Sequence, residues 1–88
     1  QGPTARLFVG LGETAGLRPA DLVGALANEG GLSSKEIGAI EIFPHHAFVE
    51  LPAQTVDEMA DVLRGATLRG RRVKVERDRS TSPRPPRG

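Results

Sequence analysis

At 88 residues the chain makes one domain that buries about 60% of its unfolded surface, which leaves no room for a deep interior active site. With no cysteine it has neither a disulfide framework nor a thiolate metal site, nothing argues for secretion, and no apolar run approaches the ~18 residues of a membrane span. The net charge of +1 hides an asymmetry. Residues 1–63 carry Arg6, Arg18 and Lys35 against nine acids, a net of −6, whereas residues 64–88 carry eight arginines and Lys74 against Glu76 and Asp78, a net of +7. This split points to a polyanionic partner for the C-terminal third; the alternative is a basic tail kept for solubility.

Gln1-Gly2-Pro3 has no initiator methionine and reads as a processed end, not a targeting signal, so the chain is expected to be a fragment of a longer cytoplasmic protein. Three segments are expected: a remnant or linker over 1–4, a folded domain over 5–78 and an Arg/Pro-rich tail over 79–88. Arg6 to Leu11 alternates with period two and makes the first strand, with Leu7, Val9 and Leu11 inward and Arg6, Phe8 and Gly10 outward. Gly10 through Gly16 forms a loop. A helix starts at Pro19, whose fixed φ suits a first turn, with Asp21 placed for the helix dipole. Leu22, Val23 and Leu26 form its buried stripe and Gly30-Gly31 stops it.

Ser33 to Glu36 has the spacing of one capped turn. The second strand runs from Ile37 to Phe43, Ile40 and Ile42 on one face and Glu41 and Phe43 on the other, until Pro44 breaks it. The third runs from His45 to Leu51, with Ala47, Val49 and Leu51 inward and His46, Phe48 and Glu50 outward. Thr55-Val56-Asp57-Glu58 is a capping box opening a second helix, whose Val56, Met59, Ala60 and Leu63 share a face and which Gly65 ends. Arg71 to Arg77 is the fourth strand, with Val73 and Val75 inward and Arg72, Lys74 and Glu76 outward. Ser80 to Gly88 has no apolar anchor and is expected to stay mobile.

The order β-α-β-β-α-β predicts the α+β, ferredoxin-like plan, a four-stranded antiparallel sheet with two helices on one face and the other face open. The plan itself hosts many functions, so the open face has to carry the argument. The three aromatics, Phe8, Phe43 and Phe48, all fall on it. Burying a phenylalanine is worth ~1.5–3 kcal/mol, so three left on a surface imply that something packs there. The first and third strands are the central pair, which sets Phe8 beside Phe48 with His46 close by. Such a platform suits bases, each stack contributing ~1–3 kcal/mol. Phe43, at a strand end beside Pro44, reads as a packing residue. Arg6, Arg72 and Lys74 on the same face would take phosphates, joined by Arg69, Arg71, Arg77 and Arg79 along the basic strand and tail. Two alternatives remain: the rings pack under the tail or on one another, or the face serves a protein partner or self-association.

Other motifs lose their chemistry on inspection. Gly10-Leu11-Gly12-Glu13-Thr14-Ala15 follows a strand as a dinucleotide fingerprint does, but the helix begins too late to meet a pyrophosphate. His45 and His46 are adjacent strand residues on opposite faces and cannot chelate one ion. Asp57-Glu58 belongs to a helix start, and no triad has a plausible geometry.

Leu7-Phe8-Val9-Gly10-Leu11-Gly12 resembles the shorter signature of the RNA-recognition motif (RRM), with its aromatic at the second position. Pro44 to Leu51 is similar to the longer one: Phe48 matches the central aromatic and His46 replaces an earlier one. Pro44 and His45 replace the usual basic residue and glycine, a departure from the standard single-strand binding mode over the whole sheet. More specifically, Leu17 to Glu29 with Ile37 to Ile40 and Phe48 to Pro52 resembles the RRM-like C-terminal domain of bacterial DEAD-box RNA helicases, the group that includes DbpA, YxiN and Hera. The resemblance covers about residues 5–77. It implies a non-catalytic domain that anchors a helicase core of the same parent chain to structured RNA, ribosomal RNA in particular, using the basic fourth-strand edge and loops as well as the sheet. ATP and magnesium would belong to that core, since this chain has neither a Walker-type loop nor an Asp-Glu-Ala-Asp box.

Overall fold

The computed structural model describes residues 3–78; Gln1, Gly2 and residues 79–88, with them Arg79 and the predicted tail, lie outside the described residues. The elements are β1 (Thr4–Val9), α1 (Pro19–Asn28), β2 (Ile40–Ile42), β3 (Ala47–Pro52), α2 (Val56–Gly65) and β4 (Val75–Asp78). Short 3-10 turns occupy Glu13–Ala15, Ser34–Glu36 and Ala53–Thr55. The strands lie in the order β2-β3-β1-β4, every neighbouring pair antiparallel. This is the α+β, ferredoxin-like arrangement that the order of elements predicts.

Strand alternation explains the core. Leu7 and Val9 of β1, Ala47, Val49 and Leu51 of β3 and Val75 of β4 point to one side. There they meet Leu22 and Leu26 of α1 and Val56, Met59, Ala60 and Leu63 of α2, all buried. No polar or charged residue is buried as a whole among the described residues. In α1 the Asp21 carboxylate accepts a hydrogen bond from the Arg18 N–H at 2.9 Å, which ties the first turn. At its far end Gly31 takes φ +75°, a left-handed conformation that costs glycine little.

Several boundaries differ from the periodic reading, each for a physical reason. β2 is shorter than Ile37 to Phe43 because Gly38 and Ala39 both face Glu50: the Gly38 N–H donates to the Glu50 carbonyl, and the Glu50 N–H to the Ala39 carbonyl. Two residues opposite one make a β-bulge. β4 begins at Val75, not Arg71, because Leu68 and Arg71 exchange backbone hydrogen bonds at 2.8 and 2.9 Å around Arg69-Gly70. Both central residues have positive φ, 52° and 79°, the requirement of a two-residue I′ turn. β1 starts at Thr4, yet Leu11 is still buried beyond its end. The Thr55 capping box does not form. The preceding 3-10 turn leaves Thr55 already helical (φ −105°, ψ −8°), and its hydroxyl donates to the Pro52 carbonyl at 2.9 Å. At Ser33 the predicted turn does close, the Ser33 N–H donating to Glu36 at 2.9 Å.

Candidate nucleic-acid interface

Register builds the open face as three rows across the sheet. The middle row is Glu41, Phe48, Phe8 and Glu76, since Phe48 lies opposite both Glu41 and Phe8, and Phe8 opposite Glu76. One row above stand Phe43, His46, Gly10 and Lys74, joined by the Phe43 N–H to His46 carbonyl bond and the Gly10 N–H to Lys74 carbonyl bond, each 2.8 Å. One row below, Glu50 and Asp78 flank Arg6.

The rings form one cluster at the upper end. His46 lies nearly parallel to Phe8 (centroids 5.8 Å, 22°) and to Phe43 (4.8 Å, 18°). Phe48 meets Phe8, Phe43 and His46 edge-on at 5.9, 6.0 and 5.3 Å, the offset and perpendicular geometries that aromatic quadrupoles favour. The cluster thus unites the predicted Phe8, His46 and Phe48. It also takes in Phe43, which at 38% is the exposed large hydrophobic among the described residues. The sequence contains a signal for this: Pro44-His45 as a two-residue connection sets Phe43 opposite His46 on the same face.

The upper end rests on the loop after β1. Glu13 N–H donates to the Phe43 carbonyl at 2.8 Å and Thr14 N–H to the Pro44 carbonyl at 3.0 Å. The Thr14 hydroxyl adds a bond to that same carbonyl at 2.9 Å and approaches His45 Nδ1 at 3.4 Å. Gly12 makes this docking possible, because a Cβ there would lie 2.3 Å from the Phe43 carbonyl oxygen and 2.5 Å from the His46 nitrogen.

Arg6 behaves differently from its neighbours. Its guanidinium lies 4.3 Å above the Phe48 ring and bridges Glu41 and Asp78 at 3.2 Å each, with Nε buried and unbonded. Arg6 therefore covers one face of Phe48 and is engaged by two carboxylates. Beside it Glu50 accepts a hydrogen bond from the Thr4 hydroxyl at 2.7 Å. That bond first, then the Ala39 N–H and the Arg6 charge, hold its carboxyl below the ordinary value of 4.5. The face as a whole carries Glu41, Glu50, Glu76 and Asp78 against Arg6 and Lys74, so it is net acidic, with the acids at its edges and lower end.

The positive charge collects beside the upper row. Lys74, 73% exposed, pairs with Glu76 at 3.2 Å. Arg71 and Arg72 are exposed and make no ion pair among the described residues. Arg69 leans to Asp21 at 3.8 Å. Arg77 lies opposite Leu7 in register, hence on the helix side, where it pairs with Asp57 at 3.7 Å. Arg64 binds β4 to α2, its Nε donating to the Val75 carbonyl at 2.8 Å. A hollow of 640 Å³ near Thr4, Lys35 and Glu50 lies at the opposite end and contains none of the rings. No group of His, Asp or Glu that could hold a metal ion occurs among the described residues, nor a helix long and apolar enough to cross a membrane.

The profile of the DbpA RNA binding domain matches residues 6–77. The ATP-dependent RNA helicase DbpA of Escherichia coli is 31% identical over 71 residues, 81% of this chain and 16% of that protein. The ATP-dependent RNA helicase DeaD of Mycobacterium tuberculosis is 46% identical over 46 residues, 52% of this chain and 8% of that protein. An uncharacterised protein of Treponema pallidum is 25% identical over 84 residues, 96% of this chain and 37% of that protein. The chain thus spans well under half the length of these curated relatives.

Proposed function

The chain belongs to the DbpA RNA-binding domain family, a non-catalytic RNA-binding module, and from that premise we propose that it anchors a DEAD-box RNA helicase core to structured RNA. Ribosomal RNA in the cytoplasm is the ligand this reading favours. Phe8, His46 and Phe43 stack unpaired bases, while Phe48 supports them from beneath and Arg6 holds Phe48. Lys74, Arg72, Arg71 and Arg69 take the phosphates; Arg77, on the helix side, and Arg79 are further phosphate contacts of the same reading. The observation that carries the reading is the convergence of all three phenylalanines and His46 in one cluster on the open face, in rows of the sheet that continue to Lys74. An apolar cluster left open beside arginines suits the flat faces and charged backbone of single-stranded RNA.

The test is a fluorescence anisotropy titration of the chain with a ribosomal RNA hairpin carrying an unpaired flank, at two salt concentrations. Saturable binding that weakens as salt rises supports the reading, because displaced counterions make phosphate contacts salt-dependent. No binding at low salt would defeat it and leave the open face to a protein partner.

A further inference from the structure

The lower half of the open face carries more negative charge than its own arginine balances. Glu41, Glu50 and Asp78 surround Arg6, three carboxylates against one guanidinium, a net of −2. Residues 80–88 carry Arg84 and Arg87 with no acid, a net of +2. We propose that this acidic row is a docking surface for the chain's own C-terminal segment, residues 80–88, whose arginines reach Glu50 and Glu41. The contact is within one chain and holds whether or not RNA is the ligand. Seated there, Arg84 and Arg87 neutralise the acidic row and are withheld from other anions.

Asp78, the last residue of β4, stands opposite Arg6 in the acidic row itself, so the chain that follows starts there. Neighbouring strands lie ~4.8 Å apart, which puts Glu50 on β3 at ~10 Å across the sheet and Glu41 on β2 at ~14 Å. A proline-rich stretch spans ~3.1 Å per residue, so Arg84 and Arg87 have the reach for both. Glu41 meets Arg6 through Oε1 at 3.2 Å and is 54% exposed. An ionised carboxylate accepts several bonds, which leaves room for a second guanidinium. Glu50 is held in position by the Thr4 hydroxyl and the Ala39 N–H. The helix side of the same end is a weaker rival, because Asp57 and Asp61 each already pair with an arginine, Arg77 and Arg64. Pro83, Pro85 and Pro86 donate no backbone N–H, so the hold rests on the arginine side chains and not on a fifth strand. Single exposed ion pairs are weak, but a segment joined to the row at Asp78 meets it at a high effective concentration.

The chain has no cysteine, so Ser82→Cys places a single nitroxide label in the segment without changing its charge. Paramagnetic broadening of the amide signals is then read across the domain, with no RNA present, at about 0.1 M and about 1 M salt, between which the screening length falls from ~10 to ~3 Å. Broadening centred on Glu41 and Glu50, weak at Asp57 and Glu58 on the helix side, and lost at the higher salt, is the expected result. Arg84→Ser/Arg87→Ser in the labelled chain, which alters no residue of the sheet or helices, should abolish it. Glu41→Gln/Glu50→Gln should abolish it from the other side of the contact. Equal broadening on the two sides of the sheet, or broadening that survives the loss of both arginines, would overturn the docking and leave the acidic row to a basic partner outside this chain.

Discussion

The upper and lower ends of the open sheet face share the central strands, the same alternation and the same antiparallel ladder, yet they carry opposite chemistry. Above, Phe43, His46 and Gly10 lead to Lys74; below, Glu50 and Asp78 enclose an arginine already engaged. Backbone topology accounts for the existence of the face and for the side on which it opens. What the face does depends on side chains two residues apart on the same strands, Phe8 against Arg6 and Phe48 against Glu50. A net charge of +1 averages over both ends and describes neither.

The contrast can be broken most severely at its support. Gly12→Ala places a Cβ against three backbone atoms, and forcing them apart is expected to cost about 3 kcal/mol, a fall of roughly 12–24 °C in Tm. Because those atoms belong to Phe43, His45 and His46, RNA affinity should fall with stability; calorimetry and anisotropy on the same sample check both. Next come the rings. Phe43→Ala and Phe8→Ala are each expected to weaken binding by ~1–3 kcal/mol, about 5- to 150-fold, Phe43→Ala with little change in Tm because that ring is exposed. Equal affinity in both variants and wild type would take the platform out of the account.

The basic turn sharpens the comparison in another direction. Arg71→Ala and Arg72→Ala should each lower the slope of log affinity against log salt by about 1. Arg77→Ala, paired with Asp57 on the helix side, should lower it less, and titrations across salt concentrations separate the three. The smallest effect belongs to the lower row. Glu50 is held below its ordinary 4.5, so the unfolded chain binds more protons between the two values and stability rises with pH through that window. The contribution is complete above about 4.5 and is lost as pH falls through the folded value, an acid limb that denaturant titrations should find reduced in Glu50→Gln.

Much of this architecture is legible in the amino-acid sequence. Period-two alternation assigns Leu7, Val9, Val49 and Leu51 to the core and Phe8, His46 and Phe48 to the open side, because one face of each strand is buried. The rest depends on lateral relations that a linear reading does not contain. Arg6 meets Glu41 and Asp78 across 35 and 72 residues of sequence, and only the register of β1 with β4 and of β3 with β2 brings them over Phe48. Phe43 reads as a strand-end packing residue until Pro44-His45 is taken as a tight connection. The Arg69-Gly70 turn escapes a reading by residue type because arginine at φ 52° is not a usual residue for that position. Thr55 carries the letters of a cap, but the 3-10 turn before it already fixes its backbone.

The most direct test of the central claim, that RNA is taken at the aromatic and basic end of the sheet and not at the acidic end, is a residue-resolved NMR titration of the amide signals with a hairpin bearing a short unpaired flank. Shifts concentrated at Phe8, Gly10, Phe43, His46, Arg71, Arg72 and Lys74, with Ala39, Glu50 and Thr4 unmoved, are the predicted result. Shifts centred on the lower row, or on α1 and α2 across the molecule, would contradict it.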